Sequence, residues 1–174
     1  RTALAQLAAA HFPELLSTEP LLRLGVAEGI DAEELRAVLV ERELAHYEDR
    51  ARISAKEARH EVWRASYDGE TCVLKEYRLD DASEWKLLAK EVRLLGQLAH
   101  PHIATVDAVF VQQEPTYAAY VQLPYFSGGD MLSWLRRGSP PELWRRKALL
   151  GQLCEALRHV HAHGVAHGDV KLEN

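Results

Sequence analysis

The spacing of apolar residues along the chain changes near residue 50. Before that point apolar residues recur every three or four positions, which predicts amphipathic helices, the last of them running through Leu44. After it, short apolar or alternating runs predict strands at 52–54, 61–66 and 71–77. The pair Asp68-Gly69 between the last two runs predicts a tight turn, so these strands form an antiparallel meander.

The remaining pattern predicts one main helix, two more strands and two further helices. These elements are expected at 80–99, 103–111, 117–123, 131–137 and 141–163. The fold class is therefore α+β, with a five-stranded antiparallel layer followed by the first helices of a helical layer. We predict three regions: a helical extension (1–50), a sheet-rich region (51–123) and the start of a helical region (124–174).

Composition limits the class of partner. The 174 residues are 47% hydrophobic, with a net charge of -5, and the acidic excess lies in residues 1–50, which hold 5 basic and 10 acidic side chains. We expect no nucleic-acid surface. No apolar stretch approaches the ~18 residues that a membrane span needs. Cys72 and Cys154 lie in a predicted strand and a predicted helix, so we expect reduced core thiols and a cytoplasmic protein.

The segment HGDVKLEN, residues 167–174, places an acid, an amine and an amide at the spacing that phosphoryl transfer uses. It resembles the catalytic loop HRDLKxxN of eukaryotic protein kinases, with Gly168 and Val170 as departures. The resemblance implies that Asp169 accepts the proton of the attacking hydroxyl, that Lys171 neutralises the transferring group and that Asn174 binds magnesium.

A second resemblance lies upstream, in the run Val73-Leu74-Lys75. It is similar to the strand whose lysine holds the α and β phosphates of ATP in the same family. A charged amine after an apolar run needs a partner to offset its desolvation. Glu91 on the next predicted helix is the family's partner by position, and a solvent-exposed helix carboxylate is the alternative.

The resemblance also implies the lining of a nucleotide pocket. Residues 124–130 look like the hinge of a kinase, where the backbone binds adenine, and Asp130 would reach the ribose, although it could equally cap the following helix. The implied lining residues are Val62, Val73, Leu123, Tyr125, Phe126 and Asp130.

Two departures affect the interpretation. When the family's phosphate loop, GxGxxGxV, is aligned on Val62, the three glycines are replaced by Ala55, Glu57 and His60, so ATP affinity should fall. Gly168 replaces an arginine that links the family's loop to a phosphorylated segment, so activity should not need that phosphorylation.

None of the histidines near the end of the chain is expected to act as a catalytic base. His159, His161 and His163 alternate on a predicted helix, which spreads them around its surface, and we expect no metal site there. His167 is expected to hold the backbone of the loop by a hydrogen bond.

The resemblance implies an ATP-dependent protein serine/threonine kinase that uses ATP and Mg²⁺ and acts on a protein substrate. Lys171 favours serine or threonine over tyrosine as the acceptor. The family's Asp-Phe-Gly triplet is not among the 174 residues, so we expect the chain by itself to be inactive and prone to association. The alternative is a pseudokinase or scaffold, with weak or no nucleotide binding, that recruits a regulatory partner through residues 1–50.

Overall fold

The computed structural model describes residues 39–79, 82–112, 118–138 and 141–173. The helices predicted before residue 39, and Asn174, lie outside the described residues. The regular elements are β1 (Glu48–Arg52), β2 (Val62–Tyr67), β3 (Glu70–Arg78), α1 (Ala82–Gln97), β4 (Ala108–Gln112), β5 (Ala118–Pro124), α2 (Met131–Arg136) and α3 (Leu143–Ala162). The predicted α+β class is confirmed: an antiparallel five-stranded sheet carries one main helix and is followed by further helices.

The described residues form two compact units. The first holds 39–97 and 105–125, and the second holds 98–104 and 126–173. The domain limits drawn from the sequence, at residues 50 and 123, stay a prediction. No helix in the described ranges combines the length and apolar character that crossing a membrane requires.

The sheet of the first unit has the strand order β1-β2-β3-β5-β4, and all neighbours are antiparallel. The predicted turn between β2 and β3 is present, with Tyr67 opposite Glu70. Both central residues have positive φ, 51° at Asp68 and 80° at Gly69. Two positive φ angles define the hairpin turn that matches strand twist, and Asp-Gly adopts it readily.

Each face of the sheet carries its own apolar cluster, because successive side chains of a strand point to opposite faces. The helix face packs against α1 and contains Tyr77, Leu79, Leu88, Val92, Val109, Ala119 and Val121. The opposite face contains Tyr47, Ala65, Cys72, Leu74, Phe110, Ala118 and Tyr120. The central strands of the sheet are therefore buried on both sides, whereas every residue of β1 is exposed.

The helix predicted through Leu44 is wrong for residues 39–43. Leu39 instead bridges to Val109 on the edge strand β4, and only Leu44–His46 form a short 3-10 turn. Tyr47 then stacks on Phe110 at 5.1 Å. An edge strand and a bare aromatic face both gain from cover, and that gain outweighs a helical pattern that is only local.

Other sequence predictions also differ from the structure. The first strand, predicted at 52–54, lies earlier, at Glu48–Arg52. The strand predicted at 103–111 begins only at Ala108. The spacing of Leu150, Leu153 and Val160 predicts that they share the buried face of α3, but Leu150 and Leu153 are exposed and Val160 is buried. Cys72 is a buried thiol but Cys154 is exposed. Periodicity identifies the apolar side of a helix, and only its neighbours decide which part of that side is covered.

Candidate active site

The strand register brings four of the predicted nucleotide-facing residues to one side of the sheet. Val62 pairs with Lys75, and Val73 pairs with Leu123. Residues directly opposite each other in an antiparallel pair share a face. Because Val73 and Lys75 are two positions apart on β3, both pairs lie on the helix face, and all four side chains are partly buried.

Lys75 and Glu91 form an ion pair on this face. The Nζ atom of Lys75 lies 2.5 Å from Oε2 of Glu91, and the two side chains are only 24% and 25% exposed. Glu91 faces the sheet because its helix neighbours Leu88 and Val92 are both buried in the helix-face cluster. Partial shielding from water strengthens the attraction beyond that of a surface pair. The role of this pair toward a nucleotide stays a prediction.

Tyr77 is a third member of this group that the sequence reasoning missed. Its hydroxyl donates to the same Oε2 atom of Glu91 that Lys75 contacts. Burial, and then the negative charge of Glu91, hold the pKa of this phenol far above its ordinary value, so it keeps its proton and donates. Tyr77 follows Lys75 by two positions on a strand, and this spacing could have identified it.

A side-chain brace shapes the loop between β1 and β2. The guanidinium of Arg52 donates to the carbonyl oxygens of Ala55 at 3.0 Å and Lys56 at 3.3 Å. It also lies 3.1 Å from Glu61. The Ser54 hydroxyl accepts from the backbone N–H of Val62 at 3.1 Å. A loop that lacks the family's glycines is thus held by an arginine at its start.

The far end of this loop is joined to the first turn of α1. Arg59 lies 3.0 Å from Glu84, and Nδ1 of His60 lies 3.6 Å from the same carboxylate. The His60 ring also packs on the Tyr77 ring with 4.3 Å between centroids. Burial, and then the charge of Lys75, lower the pKa of His60, so it is neutral at pH 7. A cavity of about 360 Å³ lies here, and its wall includes both Arg59 and Glu84.

The two aromatic residues of the predicted hinge are exposed, whereas Asp130 is partly buried. Tyr125 and Phe126 both face solvent. Asp130 caps α2: one carboxylate oxygen accepts from the Ser133 N–H and the other from the Ser133 hydroxyl, each at 2.7 Å. These two hydrogen bonds lower the pKa of Asp130. The capping alternative is therefore present, and a contact with ribose stays a prediction.

The catalytic-loop segment lies in the second unit. Nζ of Lys171 donates to the Asp169 carboxylate at 2.7 Å, and this bond raises the pKa of Lys171. The Asp169 N–H donates to Nδ1 of His167 at 3.2 Å, as expected for a histidine that holds the loop backbone. Gly168 has φ of +76°, a conformation that disfavours the arginine of the family. Asn174, the predicted magnesium ligand, lies outside the described residues.

The sequence predicted that the histidines at the end of α3 spread around the helix, but two of them lie together. His159 and His163 lie one turn apart with their rings 4.4 Å apart, and His100 packs against His159 at 5.0 Å. Burial and the neighbouring imidazoles lower the pKa of His159. Within the described ranges, no group of three or more His, Cys, Asp or Glu side chains is arranged to hold a metal ion.

Comparison with known proteins places the motifs in a wider context. A family model for the protein kinase domain matches residues 61–174. A bifunctional serine/threonine-protein kinase/NEDD4-like E3 ubiquitin-protein ligase of Dictyostelium discoideum is 28% identical over 144 residues, which cover 79% of this chain and 7% of that protein.

Two further relatives match shorter stretches. Serine/threonine-protein kinase cds1 of Schizosaccharomyces pombe is 30% identical over 89 residues, covering 51% of this chain and 19% of that protein. Testis-specific serine/threonine-protein kinase 3 of Homo sapiens is 33% identical over 89 residues, covering 51% and 32%. The chain thus spans less than a third of the length of each relative named.

Proposed function

The chain belongs to the protein kinase family, and we propose that it forms the nucleotide-binding and catalytic-loop part of an ATP-dependent protein serine/threonine kinase. The observation that carries this proposal is the ion pair between Lys75 and Glu91, which joins the two residues that the family uses to hold ATP phosphates. The relatives named as serine/threonine kinases support the choice of acceptor, as does Lys171.

The helix face of the sheet fits the chemistry of a nucleotide. Val62, Val73 and Leu123 offer apolar contact for a base, and Lys75 offers one ammonium for phosphate oxygens. ATP with Mg²⁺ supplies the phosphoryl group that is transferred. Lys75 would bind the α and β phosphates, and Glu91 would keep its side chain aimed at them. Asp130, Tyr125 and Phe126 are the proposed contacts for the ribose and the base edge.

Asp169 and Lys171 are the proposed catalytic residues. Their carboxylate and ammonium lie 2.7 Å apart, so a hydroxyl that approaches Asp169 meets a proton acceptor beside a positive charge. Asp169 would accept the proton of that hydroxyl, and Lys171 would stabilise negative charge on the transferring group. Asn174 is proposed as a magnesium ligand on the basis of the motif alone.

Regulation and location are also proposals. Gly168 removes the arginine that couples the family's loop to activation-segment phosphorylation, so we propose activity without that phosphorylation. Residues 1–50 would receive a regulatory partner, and the protein would act on protein substrates in the cytoplasm.

The test is phosphate transfer from radiolabelled ATP by the full-length protein. Lys75→Met and Asp169→Asn should each abolish transfer to a serine- or threonine-containing substrate. The matched control is Lys86→Met, because Lys86 is an exposed lysine on α1. Transfer that is unchanged in both site variants would refute the assigned roles.

One observation favours a second candidate, a pseudokinase or scaffold. The β1–β2 loop has no glycine at the three family positions, and Arg52 occupies the carbonyls of Ala55 and Lys56. A nucleotide that binds the folded state must raise its melting temperature. No shift with ATP and Mg²⁺ in the full-length protein, together with no aspartate-led triplet within roughly 20 residues after Asn174 of the parent, favours this candidate.

A further inference from the structure

Glu91 receives two donors on a single oxygen. Both Nζ of Lys75 and the hydroxyl of Tyr77 contact Oε2. Tyr77 is 1% exposed and is part of the helix-face cluster, so the position of its ring is fixed by packing. Lys75, in contrast, is a long and partly exposed side chain. Of the two donors, Tyr77 is the one whose position does not depend on Glu91.

The surroundings of Tyr77 shield the phenol side of this contact from water. The His60 ring covers the Tyr77 ring, with 4.3 Å between their centroids, and Nζ of Lys75 lies 5.1 Å from the centroid of the Tyr77 ring. A hydrogen bond to a carboxylate is stronger where water does not compete for it. The residue that covers it, His60, stands where the kinase phosphate loop has its third glycine, so the altered loop contributes to this arrangement.

We propose that Tyr77 is a positioning residue for the Lys75–Glu91 pair, and that its hydroxyl fixes the Glu91 carboxylate in the orientation that holds Lys75 for the phosphates of ATP. The consequence for catalysis rests on the proposed kinase function, whereas the contact itself does not. Without the hydroxyl, Glu91 would keep its ion pair but could rotate with the Lys75 side chain.

A matched control exists on the opposite face of the sheet. Tyr120 is also buried, and it lies directly opposite Glu76 in the β3–β5 pair, where burial and then the charge of that carboxylate raise the pKa of the phenol. Tyr120→Phe therefore removes the same atom from a buried phenol beside a carboxylate, on the face that does not carry Lys75. A purely structural role for Tyr77 predicts equal effects of the two substitutions on activity.

The first experiment compares ATP kinetics of the full-length protein with Tyr77→Phe and Tyr120→Phe. Tyr77→Phe should lower kcat/KM for ATP about tenfold, which corresponds to ~1.4 kcal/mol. Tyr120→Phe should leave it within about twofold, a change smaller than one ordinary hydrogen bond. Equal losses in the two variants would overturn the proposal.

A second experiment needs no kinase activity. Acetylation of the Lys75 amine by a small amine-reactive ester, followed by mass spectrometry of the full-length protein, reports how firmly the ion pair is held. Tyr77→Phe should accelerate labelling severalfold relative to Tyr120→Phe. If the wild-type protein transfers no phosphate but this difference is present, the kinase proposal fails and the positioning role stands. Equal labelling rates overturn the positioning role whether or not phosphate is transferred.

Discussion

Replacing Tyr47 by alanine should destabilise the sheet of the first unit more than its place outside the predicted strands suggests. Tyr47 is 2% exposed, and its ring lies between Tyr67 at 4.9 Å and Phe110 at 5.1 Å. Its hydroxyl donates to the Gln122 side chain at 2.7 Å. It is thus the main anchor of residues 39–47 on the sheet face opposite α1.

The magnitude follows from burial. An aromatic side chain buries about 150–250 Å², which at ~25 cal/mol per Å² is worth ~4–6 kcal/mol. Part of this is kept by the alanine, and we expect a loss of ~3–5 kcal/mol in the free energy of unfolding. Tyr47→Phe should lose only ~1–2 kcal/mol, because the ring stays while two hydrogen bonds of the hydroxyl, one to Gln122 and one from Arg42, are removed. Arg42 still donates to Gln122 at 2.9 Å in that variant.

Urea unfolding of residues 1–174 at low protein concentration, followed by tryptophan fluorescence, measures these differences. Phe126→Ala is the control, because Phe126 is an aromatic residue that is 64% exposed. It should change the unfolding free energy by about 0.5 kcal/mol or less. If Tyr47→Ala costs no more than Tyr47→Phe, residues 39–47 do not cover the sheet in solution, and the reasoning is refuted.

Three further predictions concern pH, thiol exposure and backbone conformation. The folded protein lowers the pKa of His159, so near the ordinary value of 6.5 the unfolded chain binds more protons than the folded one, and stability should fall on acidification. His159→Phe should therefore reduce the change of melting temperature between pH 7.5 and 5.5. An unchanged slope argues against the imidazole cluster. Native maleimide labelling should modify Cys154 and spare Cys72 until the protein unfolds, and equal rates would contradict the burial of Cys72. Gly69→Ala should cost ~1 kcal/mol because φ is +80°, whereas Gly151→Ala in α3 should stabilise by a similar amount. A calorimetric rise in stability for Gly69→Ala, or a fall for Gly151→Ala, would contradict the respective prediction.

Much of the fold was readable from local sequence. Alternation with period 2 and the Asp68-Gly69 pair were enough to predict the β2–β3 hairpin, since both act within a few residues. The resemblance to kinases predicted Lys75 and Glu91 as a pair, and the structure joins them at 2.5 Å. Residues two apart on a strand must share a face, so the common face of Val73 and Lys75 was also predictable.

The tertiary structure alone decided the rest. The sequence near Leu39 has a helical period, yet these residues lie on the edge of β4, because the edge strand and the aromatic ring of Phe110 need cover that only a distant segment can give. Likewise, nothing in the local pattern says that His60 covers Tyr77, because that contact depends on where the β1–β2 loop folds. Local spacing determines which residues can form an element or a motif, and the free energy of burying one element against another determines which of them meet.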